Sequence, residues 1–224
     1  MKKTITLILA FLLLCFGLSA CTDLKNNNDD NDGDGGNENS SPTTAANILV
    51  PYFSCTGNTE KIAEMIARET VGALHEIQPQ IPYTEADLDY YSGGRADREQ
   101  ADPAARPAIA NSVENMPDYD VIFLGYPIWH GQAPKIIYTF LESYDFAGKT
   151  IVPFCTSGSS GVGSSADNLL PLAQNADWKN GTRFSSKTTE SEIKAFVEQL
   201  NLDLKTDTNL LKIAVGNTTL TASL

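Results

Sequence analysis

The feature that most constrains this chain is an alternation beginning at Asn47, where short apolar runs trade places with segments carrying a helical stripe. Asn47–Phe53 is apolar enough and short enough for a buried strand. Glu60–Ala73 then sets Ile62, Ala63, Ile66, Ala67 and Thr70 or Val71 on one side of a helix. His75–Ile81, closed by Pro82, is a second strand, and Asp120–Tyr126 is a third. Pro134 opens a helix to about Tyr144, at a position where its missing N–H does no harm. Lys149–Cys155 is a fourth strand, with a helix from about Ser165 to Gln174 and a short fifth strand at Gly181–Ser185. Thr189-Glu-Ser-Glu192 has the form of a capping box and leads a final amphipathic helix to about Leu200. Strands alternating with helices imply an α/β fold, a parallel sheet covered on both faces. The stretch 82–116 is the irregular part, long for such a unit and rich in Pro, Asp, Arg and Tyr, as functional loops are.

The flanks are of different character. Lys2 and Lys3 precede an apolar run, Ile5–Gly17, too short for an ordinary membrane span, so residues 1–20 read as an export signal. Leu18-Ser19-Ala20-Cys21 resembles the lipobox of bacterial lipoproteins, which implies lipidation of Cys21 and an extracytoplasmic, membrane-anchored protein on the lipid bilayer. A plain secretory signal with a chance cysteine is the alternative. Residues 21–46, rich in Asn, Asp, Gly and Ser, read as a disordered acidic tether. Within it, Asp30–Gly35 matches the first half of a calcium loop, but Ser41 stands where the bidentate acid belongs, and no metal site is expected. Residues 202–224 alternate around a Gly-Asn turn, as a β-hairpin does. They resemble the opening strands of a bacterial cyclophilin-like barrel domain, so the chain ends either inside a fusion or in a vestige.

The chemistry concentrates at the junction of the first strand and first helix, Ser54-Cys55-Thr56-Gly57-Asn58-Thr59. A helix N-terminus offers unpaired N–H groups and the positive end of the dipole to an anion. Hydroxyls at Ser54, Thr56 and Thr59 add donors, and Gly57 lets the backbone come close. An ordinary N-cap and turn would look similar. No Gly-Lys-Ser/Thr follows, and Gly-x-Gly-x-x-Gly is missing, so neither a nucleotide P-loop nor a dinucleotide fold is indicated.

Ser54-x-Thr56-Gly57-Asn58-Thr59 resembles the phosphate loop of the flavodoxin family, [ST]-x-T-G-x-T directly after the first strand. The resemblance covers about residues 47–201 and extends to two further loops. Pro127-Ile128-Trp129-His130-Gly131 follows the third strand, where that family places an aromatic residue on the flavin ring; Trp129 is the candidate. Thr156-Ser157-Gly158 and Gly161 follow the fourth, where the family's second loop meets the ring's polar edge. The resemblance implies a flavodoxin-like, doubly wound five-stranded parallel sheet of order 2-1-3-4-5, with ligands at its switch point. It implies non-covalent FMN, because no threonine stands in the context of a covalent attachment near Ser160–Gly163. It further implies a peptide in the Trp129 loop that flips on reduction, which Gly131 would permit. His130 is a proton donor, a pH-sensitive neighbour of the flavin, or an exposed histidine without a role. In the implied order the third strand separates Cys55 from Cys155 by two spacings, roughly 9–10 Å, beyond the about 7 Å that a disulfide tolerates. Two free thiols are therefore expected.

The formal charge of −12 becomes −14 once Lys2 and Lys3 leave with the leader (−12 − 2). That argues against nucleic acid and favours a redox partner protein with a basic docking surface, unless acidity serves only solubility. With His75 and His130 the only histidines and no Ser-His-Asp arrangement, an electron carrier is the leading reading. An FMN-dependent reductase of quinones or similar small acceptors is the second, with Tyr83, Tyr90, Tyr91, Arg95, Arg98 and Arg106 forming a pocket. A non-redox binding module is the third.

Overall fold

The computed structural model describes residues 46–202. The expected signal sequence, Cys21, all of the tether but Ala46 and all of the hairpin but Leu202 lie outside the described residues. The elements run β1 (Ile48–Tyr52), α1 (Asn58–Thr70), β2 (Ala73–Glu76), α2 (Glu85–Leu88), α3 (Arg95–Ala101), β3 (Val121–Pro127) and α4 (Lys135–Glu142). They continue through β4 (Thr150–Thr156), α5 (Ser164–Asp167), β5 (Asp177–Trp178), β6 (Thr182–Phe184) and α6 (Glu190–Gln199). All named strand pairs are parallel, in the order β2-β1-β3-β4-β5, with β6 also pairing β4. The doubly wound flavodoxin-like order is thus the one expected.

Period-two alternation builds two cores from the same strands. Ile48, Val50, Phe123, Val152 and Phe154 face α1 and α6, meeting Ile62, Ile66, Ile193 and Phe196. Leu49, Ile122, Leu124 and Ile151 face α4, meeting Ile136, Ile137, Phe140 and Leu141. Gly125 is demanded by this packing, since a Cβ there would lie 2.3 Å from Cζ of the fully buried Phe154. Thr189 caps α6 by the reciprocal box, its side chain accepting from Glu192 N–H while the Glu192 carboxylate accepts from Thr189 N–H.

Several boundaries differ from expectation. β2 begins at Ala73 rather than His75, because α1 stops at Thr70, where Val71 turns left-handed and Gly72 N–H closes on the Ala67 carbonyl. The helix expected over 165–174 is only the single turn of α5 followed by a 3-10 turn at Leu170–Leu172, since Pro171 cannot continue an α-helix. The fifth strand position holds two short segments: β6 inside the expected Gly181–Ser185, and β5, which two residues are too few to announce. The irregular stretch 82–116 contains α2 and α3, the first closed by a Thr84–Asp87 capping box.

Candidate functional site

Helix α1 begins without a side-chain cap on Gly57, which sits at φ 77°. Its first intrahelical bond runs from Lys61 N–H to the Gly57 carbonyl at 3.0 Å. The N–H groups of Asn58, Thr59 and Glu60 therefore start the helix with no acceptor within it, which leaves the dipole's positive end open toward the carboxyl edge of the sheet.

Thr59 is buried, and its Oγ1 lies 2.8 Å from Oγ1 of buried Thr156 at the end of β4. This pair ties the first loop to the last. Two hydroxyls carry two protons and the pair consumes one, so one donor is left for a ligand. Asn58 Nδ2 donates to Thr56 Oγ1 at 3.1 Å, setting the rim of the loop.

Two adjoining hollows share Thr56 and Pro127. The larger, about 430 Å³, is polar: Thr56 and Asn58 on one side, Thr156, Ser157 and Gly158 on another, Ser185, Ser186 and Lys187 on the third. The smaller, about 210 Å³, runs from Ser54, Cys55 and Thr59 to Ile128, Trp129 and His130, closed by Leu88, Tyr90, Ala96 and Asp97. All three expected loops thus meet in one groove. Gly57, Gly131 and Gly161 stand outside both hollows, as the cap of α1, in the Trp129 loop and in the loop after β4.

Trp129 is wedged edge-on between Phe53 (5.5 Å) and Tyr83 (5.2 Å), so it belongs to the core margin as well as to the groove. Trp129 and Gln132 exchange N–H to carbonyl bonds of 2.9 Å each way, and His130 and Gly131 both have positive φ, 49° and 76°. That is a type I′ turn. The expectation that Gly131 permits a peptide flip meets an obstacle here. Rotating the His130–Gly131 peptide would carry His130 into a region that essentially only glycine occupies.

Helix α3, inside the irregular stretch 82–116, braces this turn. Gln100 Nε2 donates to the carbonyls of Trp129 (3.0 Å) and Ala133 (3.2 Å), while its Oε1 accepts from Lys135 N–H (3.1 Å). Asp97 Oδ1 sits 2.7 Å from His130 Nε2, and Tyr90 stacks on the imidazole at 4.3 Å. Backbone N–H of Gly93 and then the His130 contact hold the Asp97 carboxyl below its usual range. On the opposite wall Arg183 of β6 donates to Ser157 Oγ (3.1 Å) and to the carbonyls of Ser157 (3.1 Å) and Gly158 (2.7 Å). None of Asp97, Gln100, Arg183 or Ser185–Lys187 carries a sequence signal of its role. A Gly93-Gly94 break before an Arg-Ala-Asp-Arg-Glu-Gln run was the one available hint of α3.

Of the side chains expected to roof a pocket, Tyr90 lines it. Tyr83 lies beneath, with the Arg95 guanidinium 3.7 Å over its ring, and burial, then the bond to Glu99, pushes its phenol far upward. Arg98 turns back to the Gly93 carbonyl, and Arg106 leaves the site for a bidentate pair with Glu142 at 2.7 and 2.8 Å. Cys55 and Cys155 are both free, the first exposed and the second buried. Although Cys55 is an exposed residue, desolvation of its sulfur in the pocket wall pushes the thiol up to about 11. Burial pushes Cys155 up to about 12.

The polar hollow at an uncapped helix end suits a phosphate, and the adjoining aromatic wall suits a planar ring, so these residues fit a mononucleotide flavin. Comparison with known proteins agrees on the fold. Two provisionally assigned flavoproteins of known crystal structure resemble it, from Bacteroides eggerthii (44% identity, TM-score 0.66, 70% of this chain and 99% of that one) and Bacteroides uniformis (38%, 0.66, 69% and 99%). A flavoprotein from Lactobacillus acidophilus, crystallised in complex with FMN, shares the fold at 23% identity and TM-score 0.53, over 68% of this chain and 99% of its own. No curated protein matches. The family model described as Flavodoxin matches residues 47–200, and with the parallel order, the phosphate-type loop and the three converging loops in place, the chain belongs to the flavodoxin family.

Proposed function

We propose that the groove binds FMN non-covalently and that the protein carries electrons outside the cytoplasm, tethered to a membrane through a lipidated Cys21. The observation that carries the reading is the open N-terminus of α1, uncapped and ringed by Ser54, Thr56 and Thr59, facing the loops after β3 and β4. FMN binding in the Lactobacillus relative supports it. In this reading the N–H groups of residues 56–60, with the spare Thr59/Thr156 proton, hold the phosphate. Lys187 supplies a counter-charge at the rim. Trp129 and the loop at Ser157–Gly158 flank the ring, and their braces, Gln100 and Arg183, keep both in place without a ligand's help. Bound FMN would supply one- and two-electron chemistry that no side chain offers. The acidic surface favours a redox partner with a basic docking face, and the lipobox-like Leu18–Cys21 supports the bilayer anchor.

The test is the visible spectrum of a leaderless protein, residues 22–224, titrated with FMN. Tight binding with quenched flavin fluorescence, weakened by Trp129→Ala, is expected; a folded protein that leaves FMN fluorescence unchanged would refute it.

The small hollow closed by Leu88, Tyr90, Ala96 and Asp97 favours a second reading, an FMN-dependent reductase of a quinone or similar planar acceptor. Direct oxidation of a nicotinamide nucleotide by the loaded protein, accelerated by such an acceptor, would move the assignment to that reading.

A further inference from the structure

We propose that Asp97 and His130 form a proton-exchange dyad that couples proton uptake to reduction of a flavin in the adjoining groove; the coupling rests on the FMN reading above, while the dyad itself does not. His130 Nε2 lies 2.7 Å from Asp97 Oδ1, and the two side chains are only 26% and 15% exposed. An ionised carboxylate accepts and cannot donate, so Nε2 keeps its proton and Nδ1 is the nitrogen that gains or loses one. The carboxylate is itself fixed, since Oδ2 accepts from Gly93 N–H at 2.9 Å. Tyr90 stacks on the imidazole at 4.3 Å and 15°, and Tyr91 meets it edge-on at 5.3 Å. The ring is thus held on two sides and by one bond, as an acid–base group must be.

The groups facing His130 are Asp97 from α3 and Tyr90 and Tyr91 from the segment between α2 and α3; Cys55 shares the pocket wall. Burial raises the Tyr90 phenol, desolvation raises the Cys55 thiol, and hydrogen bonds keep Asp97 ionised. Imidazole is the side chain whose charge changes between pH 5 and 8.

Reduction adds negative charge to a flavin. A neighbouring opposite charge strengthens proton binding by roughly ten- to a thousandfold. By linkage the reduced state holds the Nδ1 proton more tightly. The electrons come from an external reductant and the proton from solvent; within the protein only the Nδ1–H bond forms, and Asp97 keeps its charge throughout. On top of the pH dependence that the flavin's own proton uptake gives, this linkage adds a fall in potential as pH rises that depends on His130.

Two measurements test this. In the flavin-free protein, NMR of His75 and His130 across pH should show that Asp97→Asn weakens proton binding at His130 at least tenfold and leaves His75 unmoved. In the FMN-loaded protein, the midpoint potential from pH 5 to 9 should show a pH-dependent component, over the flavin's own, that His130→Asn lacks. The lower estimate, tenfold, is about 59 mV for a one-electron couple. Asn-Gly is the favoured type I′ pair, so this substitution keeps the turn while removing the titrating imidazole and its contacts with Tyr90 and Tyr91. An unmoved His130 titration in Asp97→Asn overturns the dyad. Identical potential profiles in a protein that does bind FMN overturn the coupling and leave the cofactor assignment intact. A folded protein that binds no FMN overturns the cofactor assignment and the coupling together, with the dyad still decided by NMR.

Discussion

The buried hydroxyl pair Thr59–Thr156 makes two opposite demands on a substitution, and so offers a sharp test of how the site is built. Thr59→Val keeps the shape and deletes one hydroxyl, leaving Thr156 Oγ1 buried without its 2.8 Å partner. The reciprocal change orphans Thr59, which is 1% exposed. Leaving one buried partner unsatisfied costs about 1–3 kcal/mol, whereas replacing both by apolar groups of the same shape is nearly neutral. Each single valine variant should therefore lose about 1–3 kcal/mol in urea unfolding, at about 2–4 °C of Tm per kcal/mol. The double variant should return to within about 1 kcal/mol of the parent. FMN affinity should follow another order. Either single variant still has one hydroxyl to offer and should bind within a few-fold of the parent. The double variant loses the donor to a charged oxygen, about 1.5–3 kcal/mol, and should bind at least roughly tenfold more weakly. A double variant whose unfolding cost equals the sum of the singles would refute the pairing. One that binds FMN like the parent would refute its role at the phosphate.

Gly125→Ala places a Cβ 2.3 Å from a buried Phe154 ring that has no room to move; overpacking of about 1–3 kcal/mol is expected in chemical unfolding. Gln100→Leu removes three hydrogen bonds that fix residues 129–135 and should cost about 1.5–4.5 kcal/mol. It should also sharpen hydrogen exchange at His130–Gln132, which a surface substitution such as Glu85→Gln would not. In the protein of residues 22–224, a thiol reagent should modify one cysteine when native, exposed Cys55, and two when denatured. FMN should slow the native reaction, because Cys55 lines the groove. The Arg106–Glu142 pair holds the Glu142 carboxyl below its usual range, chiefly through its hydrogen bonds. Its stabilisation is present above the ordinary carboxylate range and is lost as pH falls through the depressed value. With both side chains partly exposed, Arg106→Gln should flatten the acid limb by no more than about 1 kcal/mol.

The strand–helix alternation and the three loops were legible because each rests on local patterns, whereas the order 2-1-3-4-5 came from the resemblance to the flavodoxin family. Apolar runs as short as Val121–Tyr126 read as buried strands, and Thr56-Gly57-Asn58-Thr59 carries its chemistry in consecutive residues. What stayed hidden is tertiary. Gln100 and Asp97 act on a loop some 30 residues away, and nothing in Arg95–Ala101 states which face of that helix meets it. Arg183 reads as an ordinary strand residue until β6 pairs with β4 and carries its guanidinium to Ser157 and Gly158. The helix expected at 165–174 is cut to one turn because Pro171, inside that span, cannot continue it. His130 was singled out for its chemistry, but its left-handed backbone, which opposes the flip expected from Gly131, was not encoded in a residue type that favours that conformation.

The central claim is that the open end of α1 is a phosphate site serving a flavin. It is tested most directly by titrating the leaderless protein with FMN and, in parallel, with riboflavin, which has the same ring and no phosphate. The account predicts that FMN binds at least roughly a hundredfold more tightly, the equivalent of about 2.7 kcal/mol from charge-assisted N–H and hydroxyl bonds. It further predicts that inorganic phosphate competes with FMN. Equal affinities for the two flavins, or tight FMN binding indifferent to phosphate, would contradict it.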